Sequence, residues 1–115
     1  MNFEVEQRDD ITIFKLNEKK LDTNISGLIK AEFTLLVKGE GANKLVIDLE
    51  AVENCDSSGL SALLVANRLI NANNGEIRIV SPSEKVLQLI NITQLHRVLP
   101  VSGTLEEAIE ELKKD

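Results

Sequence analysis

Tryptophan and tyrosine are missing from this chain, and aromatic residues make up only 3% of it. The core must therefore be aliphatic, and no aromatic platform exists on which bases could stack. A single cysteine excludes an internal disulfide and fits a reducing compartment. No apolar run approaches membrane-spanning length. The opening residues, Met1-Asn2-Phe3-Glu4-Val5-Glu6-Gln7, carry neither the basic region nor the apolar stretch of a secretion signal. These absences point to a soluble, cytoplasmic protein without membrane insertion. Basic charge is also in deficit, with 13 Lys and Arg against 19 Asp and Glu, a net charge of −6. That balance argues against non-specific nucleic-acid binding and against docking on anionic lipid by a basic face. Neither GxxxxGK(S/T) nor GxGxxG occurs, so no nucleotide-cradling loop is expected. His96 and Cys55 stand alone and far apart, and no His/Cys cluster has metal-ligand spacing. No cofactor is expected.

What is present is a chain of 115 residues with 43% apolar content, enough for one compact domain over residues 1–115. Phe3 to Gln7 alternates apolar and polar, and Ile11 to Leu16 follows a turn at Asp9-Asp10, so the two read as a hairpin. From about Asn24 to Lys38, Ile25, Leu28, Ile29, Leu35 and Leu36 recur at helical spacing, and Gly39 and Gly41 end the segment. Lys44 to Leu49 is apolar on both faces and reads as a central strand. Leu60, Leu63, Leu64 and Ile70 mark a second helix, stopped by Asn73-Asn74-Gly75. Ile77 to Val80 is another strand. Ser81-Pro82-Ser83-Glu84 reads as a capping box with proline at the first helical position. Leu95 to Val101 is short and apolar, with Pro100 confining any strand to an edge. Thr104 with Glu107 opens a last helix striped by Leu105, Ala108, Ile109 and Leu112. The order ββαβαβα(β)α predicts an α/β domain, with a four- to five-stranded mixed sheet and about four helices.

The most informative stretch is Cys55-Asp56-Ser57-Ser58-Gly59-Leu60. It places two hydroxyls where a strand gives way to a helix. At a helix start the first N–H groups lack partners and the dipole favours negative charge, a suitable place for a phosphoserine. The plainer reading makes Ser57 or Ser58 an N-cap. Cys55 reads as a small buried apolar residue, although helix N-termini can lower a thiol pKa. Asp48, Glu50, Glu53 and Asp56 could in principle supply an acid–base pair, but nothing in their spacing selects one, and a solvated loop is the better reading. Asp48 ends a strand, as the phospho-accepting aspartate of a receiver domain does. Leu16-Asn17 and Val80-Ser81 lack the acidic cluster and the lysine that a receiver needs.

Asp56-Ser57-Ser58-Gly59-Leu60, after the Leu45–Leu49 strand and Val52, resembles the signature of the STAS family, in particular its anti-sigma factor antagonists. That pattern is a strand ending in D-L, a short acidic connector, then D-S-(S/T)-G-L and an amphipathic helix. Leu21-Asp22 resembles the L-D pair before the first family helix. Gly75 to Pro82 resembles a later strand-to-helix segment, and Val86 through Val98 the helix and short strand beyond it. The loop Leu16-Asn17-Glu18-Lys19-Lys20-Leu21-Asp22 departs from the family's L-x-G-x-L-D, being longer and without glycine. The resemblance implies a STAS-type domain that is a binding module, not an enzyme. It implies Ser57 as phospho-acceptor, with Asp22, Glu53, Asp56, Ser57, Ser58, Gly59 and Leu60 forming the partner surface. Gly59 would keep that surface low beside the hydroxyl, so that a kinase can approach. The implied partners are an anti-sigma factor that is itself an ATP-dependent serine kinase, and a metal-dependent serine phosphatase. The unmodified form would hold the anti-sigma factor and free a sigma factor. The alternative is a STAS subunit of a lipid or anion transport system, or of another signalling complex.

Overall fold

The computed structural model describes residues 1–80 and 82–113. Strands β1 (Phe3–Arg8) and β2 (Ile11–Leu16) form the expected hairpin, in antiparallel register from Phe3 opposite Leu16 to Arg8 opposite Ile11. Asp9 turns the chain in the left-handed region, φ 53°, which aspartate tolerates better than most residues. Then come a two-residue strand β3 (Lys20–Leu21), helix α1 (Thr23–Thr34) and strand β4 (Lys44–Asp48). A second two-residue strand, β5 (Asn54–Cys55), leads into helix α2 (Ser57–Ala72). The chain finishes with β6 (Glu76–Val80), α3 (Glu84–Ile92), β7 (Val101–Ser102) and α4 (Leu105–Lys113).

The main sheet has five strands in the order β1-β2-β4-β6-β7, parallel throughout except for the hairpin. Lys44–Asp48 is its central strand, as its two-faced apolarity predicts. Period-2 alternation divides the sheet between two cores. Phe14, Leu16, Leu45, Ile47, Ile77 and Ile79 face one way and pack with Ile29, Phe33, Leu63, Ile70, Val86 and Ile90 of α1, α2 and α3. Ile11, Ile13, Val46 and Val80 face the other way and meet Ala108, Ile109 and Leu112 of α4. With so few aromatics, the first core has one aromatic run, Phe3 stacked on Phe14 and Phe14 edge-on to Phe33.

Three expectations need correction. The first helix does not bury Leu28 and Leu35, which are 56% and 59% exposed. Its core face is Ser26, Ile29 and Phe33, and a π-turn over Leu35–Gly39 then brings Leu36 and Val37 inward. The wider turn adds a residue and rotates the following side chains, which a regular 3.6-residue stripe cannot anticipate. In the third helix Ser83 is the N-cap, its Oγ accepting from Val86 N–H at 3.2 Å. Pro82 therefore precedes the helix by two positions instead of opening it, and Ser81 lies outside the described residues. The third correction concerns Asn17 to Lys20, expected as loop, and the acidic connector after β4. They contribute to a separate parallel ladder in which β3 pairs with β5. Two-residue strands carry no readable alternation, so pattern analysis passes over them.

Candidate functional site

The β3–β5 ladder builds the site. Lys20 pairs with Asn54 and Leu21 with Cys55 in parallel register. The next residue on each strand is an aspartate, and each aspartate caps a helix. Asp22 accepts from Asn24 N–H at 3.0 Å and opens α1. Asp56 accepts from Gly59 N–H at 2.9 Å and opens α2. Asp56 N–H also donates to the Leu21 carbonyl at 3.2 Å, joining the two starts directly. The expectation that Asp22 approaches the Ser57 region is met.

Asp56, not a serine, is the N-cap of α2, and Ser57 is its first helical residue. The plain reading of Ser57 or Ser58 as the cap is thereby corrected. A carboxylate one residue earlier reaches the free N–H groups and leaves the serine hydroxyls to other uses. Ser57 is exposed, and its hydroxyl has no hydrogen-bond partner among the described residues. Ser58 is half-buried, with its Oγ 3.1 Å from Thr23 Oγ1. Thr23 also places its N–H and its Oγ1 each 3.2 Å from Asp56 Oδ2. Thr23 was not among the residues singled out from sequence. The available signal was the repetition of an aspartate followed by a hydroxyl residue, at Asp22-Thr23 and Asp56-Ser57.

These donors hold the Asp56 carboxyl below its ordinary range. The Gly59 N–H is the largest influence, joined by the Thr23 N–H and hydroxyl and the Ser58 N–H, with partial desolvation opposing them. Asp56 is thus an acceptor-only carboxylate at neutral pH. Its neighbour behaves oppositely. Burial, and then the Asp56 charge, push the Cys55 thiol up to about 12. The helix start does not activate it, and Cys55 is half-buried against the core instead of fully buried as expected.

Gly59 and Leu60 are buried. A β-carbon on Gly59 would stand 2.2 Å from the Leu21 carbonyl and 2.7 Å from Cys55 Sγ. Gly59 is therefore required beneath the surface, where α2 crosses β3. Leu60 supports the site from the core. Asp22, Glu53, Asp56, Ser57 and Ser58 remain at least partly exposed. The surroundings are mixed in charge. Lys19 and Lys20 line a depression of about 440 Å³ beside Asp22. Lys85 bonds Asn54 Oδ1 at 2.8 Å beside a second one of about 290 Å³, walled by Cys55, Leu89 and Ile92. Of the other carboxylates, Asp48 is buried at the end of β4 and accepts from Glu50 N–H at 3.0 Å, a local turn. Among the described residues no three of His, Cys, Asp and Glu converge in a metal-holding group. None of the described helices is long and apolar enough to cross a membrane.

A mixed sheet with three helices on one side and one on the other, and a helix-entrance serine beside paired aspartate caps, defines a STAS-type domain. Residues 2–108 match the STAS domain family. A protein of Thermotoga maritima provisionally named an anti-sigma factor antagonist is 31% identical over 106 residues, 92% of this chain and 93% of its own length. The crystal structure of a Thermotoga maritima protein provisionally named an anti-sigma factor antagonist superposes with a TM-score of 0.88 at 30% identity, covering 96% of this chain and 94% of that one. The unphosphorylated anti-sigma factor antagonist SpoIIAA shares the fold, with a TM-score of 0.77 at 21% identity over 99% of this chain and all of that one. The chain belongs to the STAS domain family, among the anti-sigma factor antagonists.

Proposed function

We propose that this chain, as one STAS domain over residues 1–115, is a phosphorylation-switched binding module acting in the cytoplasm. In its unphosphorylated state it binds an anti-sigma factor of the ATP-dependent serine kinase class, and the sigma factor goes free. The kinase then phosphorylates Ser57 and the complex separates. A metal-dependent serine phosphatase restores the hydroxyl. The observation that carries this reading is the contrast between the two serines. Ser57 is exposed with an unengaged hydroxyl, whereas Ser58 is half-buried against Thr23. Relatives named as antagonists of anti-sigma factors support the partner class.

The switch has a simple physical basis. Phosphorylation adds a charge of about −1.5 to −2 at neutral pH. Asp22, Glu53 and Asp56 already surround the position. More negative charge inside a closed contact costs repulsion and desolvation, and about 1.4 kcal/mol is a tenfold loss of affinity. The start of α2 tolerates the phosphate, so release needs no refolding. The test is to incubate the chain with ATP and an anti-sigma factor kinase, map the phosphate by mass spectrometry, and measure binding before and after. Label on Ser57 with loss of binding is expected. Label on Ser58 alone, or undiminished binding by the labelled form, overturns the reading. Capture of a transport complex in place of a kinase would move the chain to the alternative assembly.

A further inference from the structure

We propose that Thr23 is a positioning residue that directs phosphorylation to Ser57 by holding Ser58 in a closed chain of hydroxyls. The proposal rests on the phosphorylation reading above and adds to it the reason for the choice between adjacent serines.

The protons available at these groups fix the direction of each bond. Thr23 Oγ1 lies 3.2 Å from Asp56 Oδ2 and 3.1 Å from Ser58 Oγ. A hydroxyl has one proton to donate. The Asp56 carboxylate can only accept, and a charged acceptor makes the stronger bond, so the Thr23 proton belongs to Asp56. The contact with Ser58 is then a hydrogen bond only if Ser58 donates to Thr23. The chain runs Ser58 to Thr23 to Asp56, from one helix start across to the other and back. Asp56 is fixed at its far end by Gly59 N–H at 2.9 Å and Thr23 N–H at 3.2 Å. Every donor in the chain is used.

In the transfer itself, a serine Oγ bonds to the γ-phosphorus of ATP, ADP leaves, and the hydroxyl proton passes to a base on the kinase. Ser57 can present its hydroxyl without breaking anything in its own chain. Ser58 must first give up its bond to Thr23 and swing outward from a half-buried position. A net hydrogen bond of ordinary strength corresponds to a preference of about three- to tenfold. Thr23 does not touch the transferred group, so its effect acts through Ser58.

The test uses the full chain with Ser57→Ala, which leaves Ser58 as the acceptor at this helix start, and a kinase first shown to phosphorylate the wild type. The initial rate at Ser58 should rise about three- to tenfold when Thr23→Val is added and return with Thr23→Ser. An unchanged rate, or no label on Ser58 with or without the Thr23 hydroxyl, overturns the proposal. A second measurement needs no variant and no kinase. Three-bond Hα–Hβ couplings in the wild type should show one rotamer at Ser58 and averaging at Ser57, and equal averaging at both overturns it. If no anti-sigma factor kinase labels the wild type, the phosphorylation reading falls, and the couplings alone decide whether the hydroxyl chain exists.

Discussion

Asp22 and Asp56 cap two different helices from adjacent positions, because the residues before them, Leu21 and Cys55, are partners in a parallel ladder. Two residues of strand on each side suffice to bring α1 and α2 to one edge with their N-termini together. Both positive helix ends and both carboxylates then bear on the same few side chains. The candidate site is that junction. Its chemistry depends on which groups the junction consumes and which it leaves free.

Gly59 is consumed by it. Gly59→Val should lower the thermal midpoint, because the added carbons enter the Leu21 carbonyl and Cys55 Sγ. Overpacking of this kind costs about 1–3 kcal/mol, or on the order of 10 °C in a domain of this size. Calorimetry checks it. A midpoint unchanged within a degree or two would show that α2 can lift off β3 freely, and the packing account would fail.

Asp56 links the junction to pH. Its folded pKa lies below the ordinary value, so its contribution to stability is complete above that value, about 3.9. The contribution is lost as pH falls through the folded pKa. Asp56→Asn keeps an accepting oxygen for the cap and removes the titration. Its acid unfolding profile should therefore be flatter than the wild type's below about pH 4. Parallel profiles, measured by circular dichroism in denaturant, would mean that Asp56 has the same pKa folded and unfolded.

Cys55 should be unreactive. With its thiol pushed up to about 12, the thiolate fraction at pH 8 falls on the order of a thousandfold below that of a free cysteine. Alkylation followed by mass spectrometry should be slow in the native protein and fast in urea. Native labelling at the free-cysteine rate would show that the ladder over Cys55 opens readily.

Much of this architecture is legible in the chain, and the rest is hidden for identifiable reasons. Ile11 to Leu16, Lys44 to Asp48 and Ile77 to Val80 announce themselves by apolar content, and their order gives the parallel crossovers. Leu105, Ala108, Ile109 and Leu112 give the last helix by spacing. Leu28 and Leu35 mislead because a helical stripe can be drawn through them, while the actual core face is offset and ends in a π-turn. Asp56-Ser57-Ser58-Gly59-Leu60 marks the site, but not the division of labour within it. Whether a serine or the aspartate before it caps the helix depends on a difference of one residue in the helix start. That start is set by the Leu21 carbonyl, reached from 35 positions away in sequence through Asp56 N–H. Thr23 escapes for the same reason, since its role exists only after β3 and β5 pair.

Ser57 is the group the junction leaves free, and this separates two effects that one mutation might otherwise confuse. Ser57→Asp puts a carboxylate on the first residue of α2, where negative charge is favourable. The thermal midpoint should stay within about 2 °C of the wild type, since an exposed substitution at a tolerant position changes stability by no more than about 0.5 kcal/mol. Binding of the anti-sigma factor should fall about tenfold or more, because the new charge faces Asp56 and Asp22 across a contact that must be desolvated. Ser57→Ala should keep most of the affinity and abolish phosphate release. The lysines nearby, Lys19, Lys20 and Lys85, bear on the salt dependence. With both signs present at the contact, attraction and repulsion are screened together over about 8–10 Å. Raising salt should therefore change wild-type affinity only modestly, yet recover part of the affinity lost in Ser57→Asp. Titration calorimetry of the three proteins at low and high salt measures both effects. A Ser57→Asp chain that melts early but still binds at wild-type strength would make Ser57 a structural residue and remove the basis of the switch.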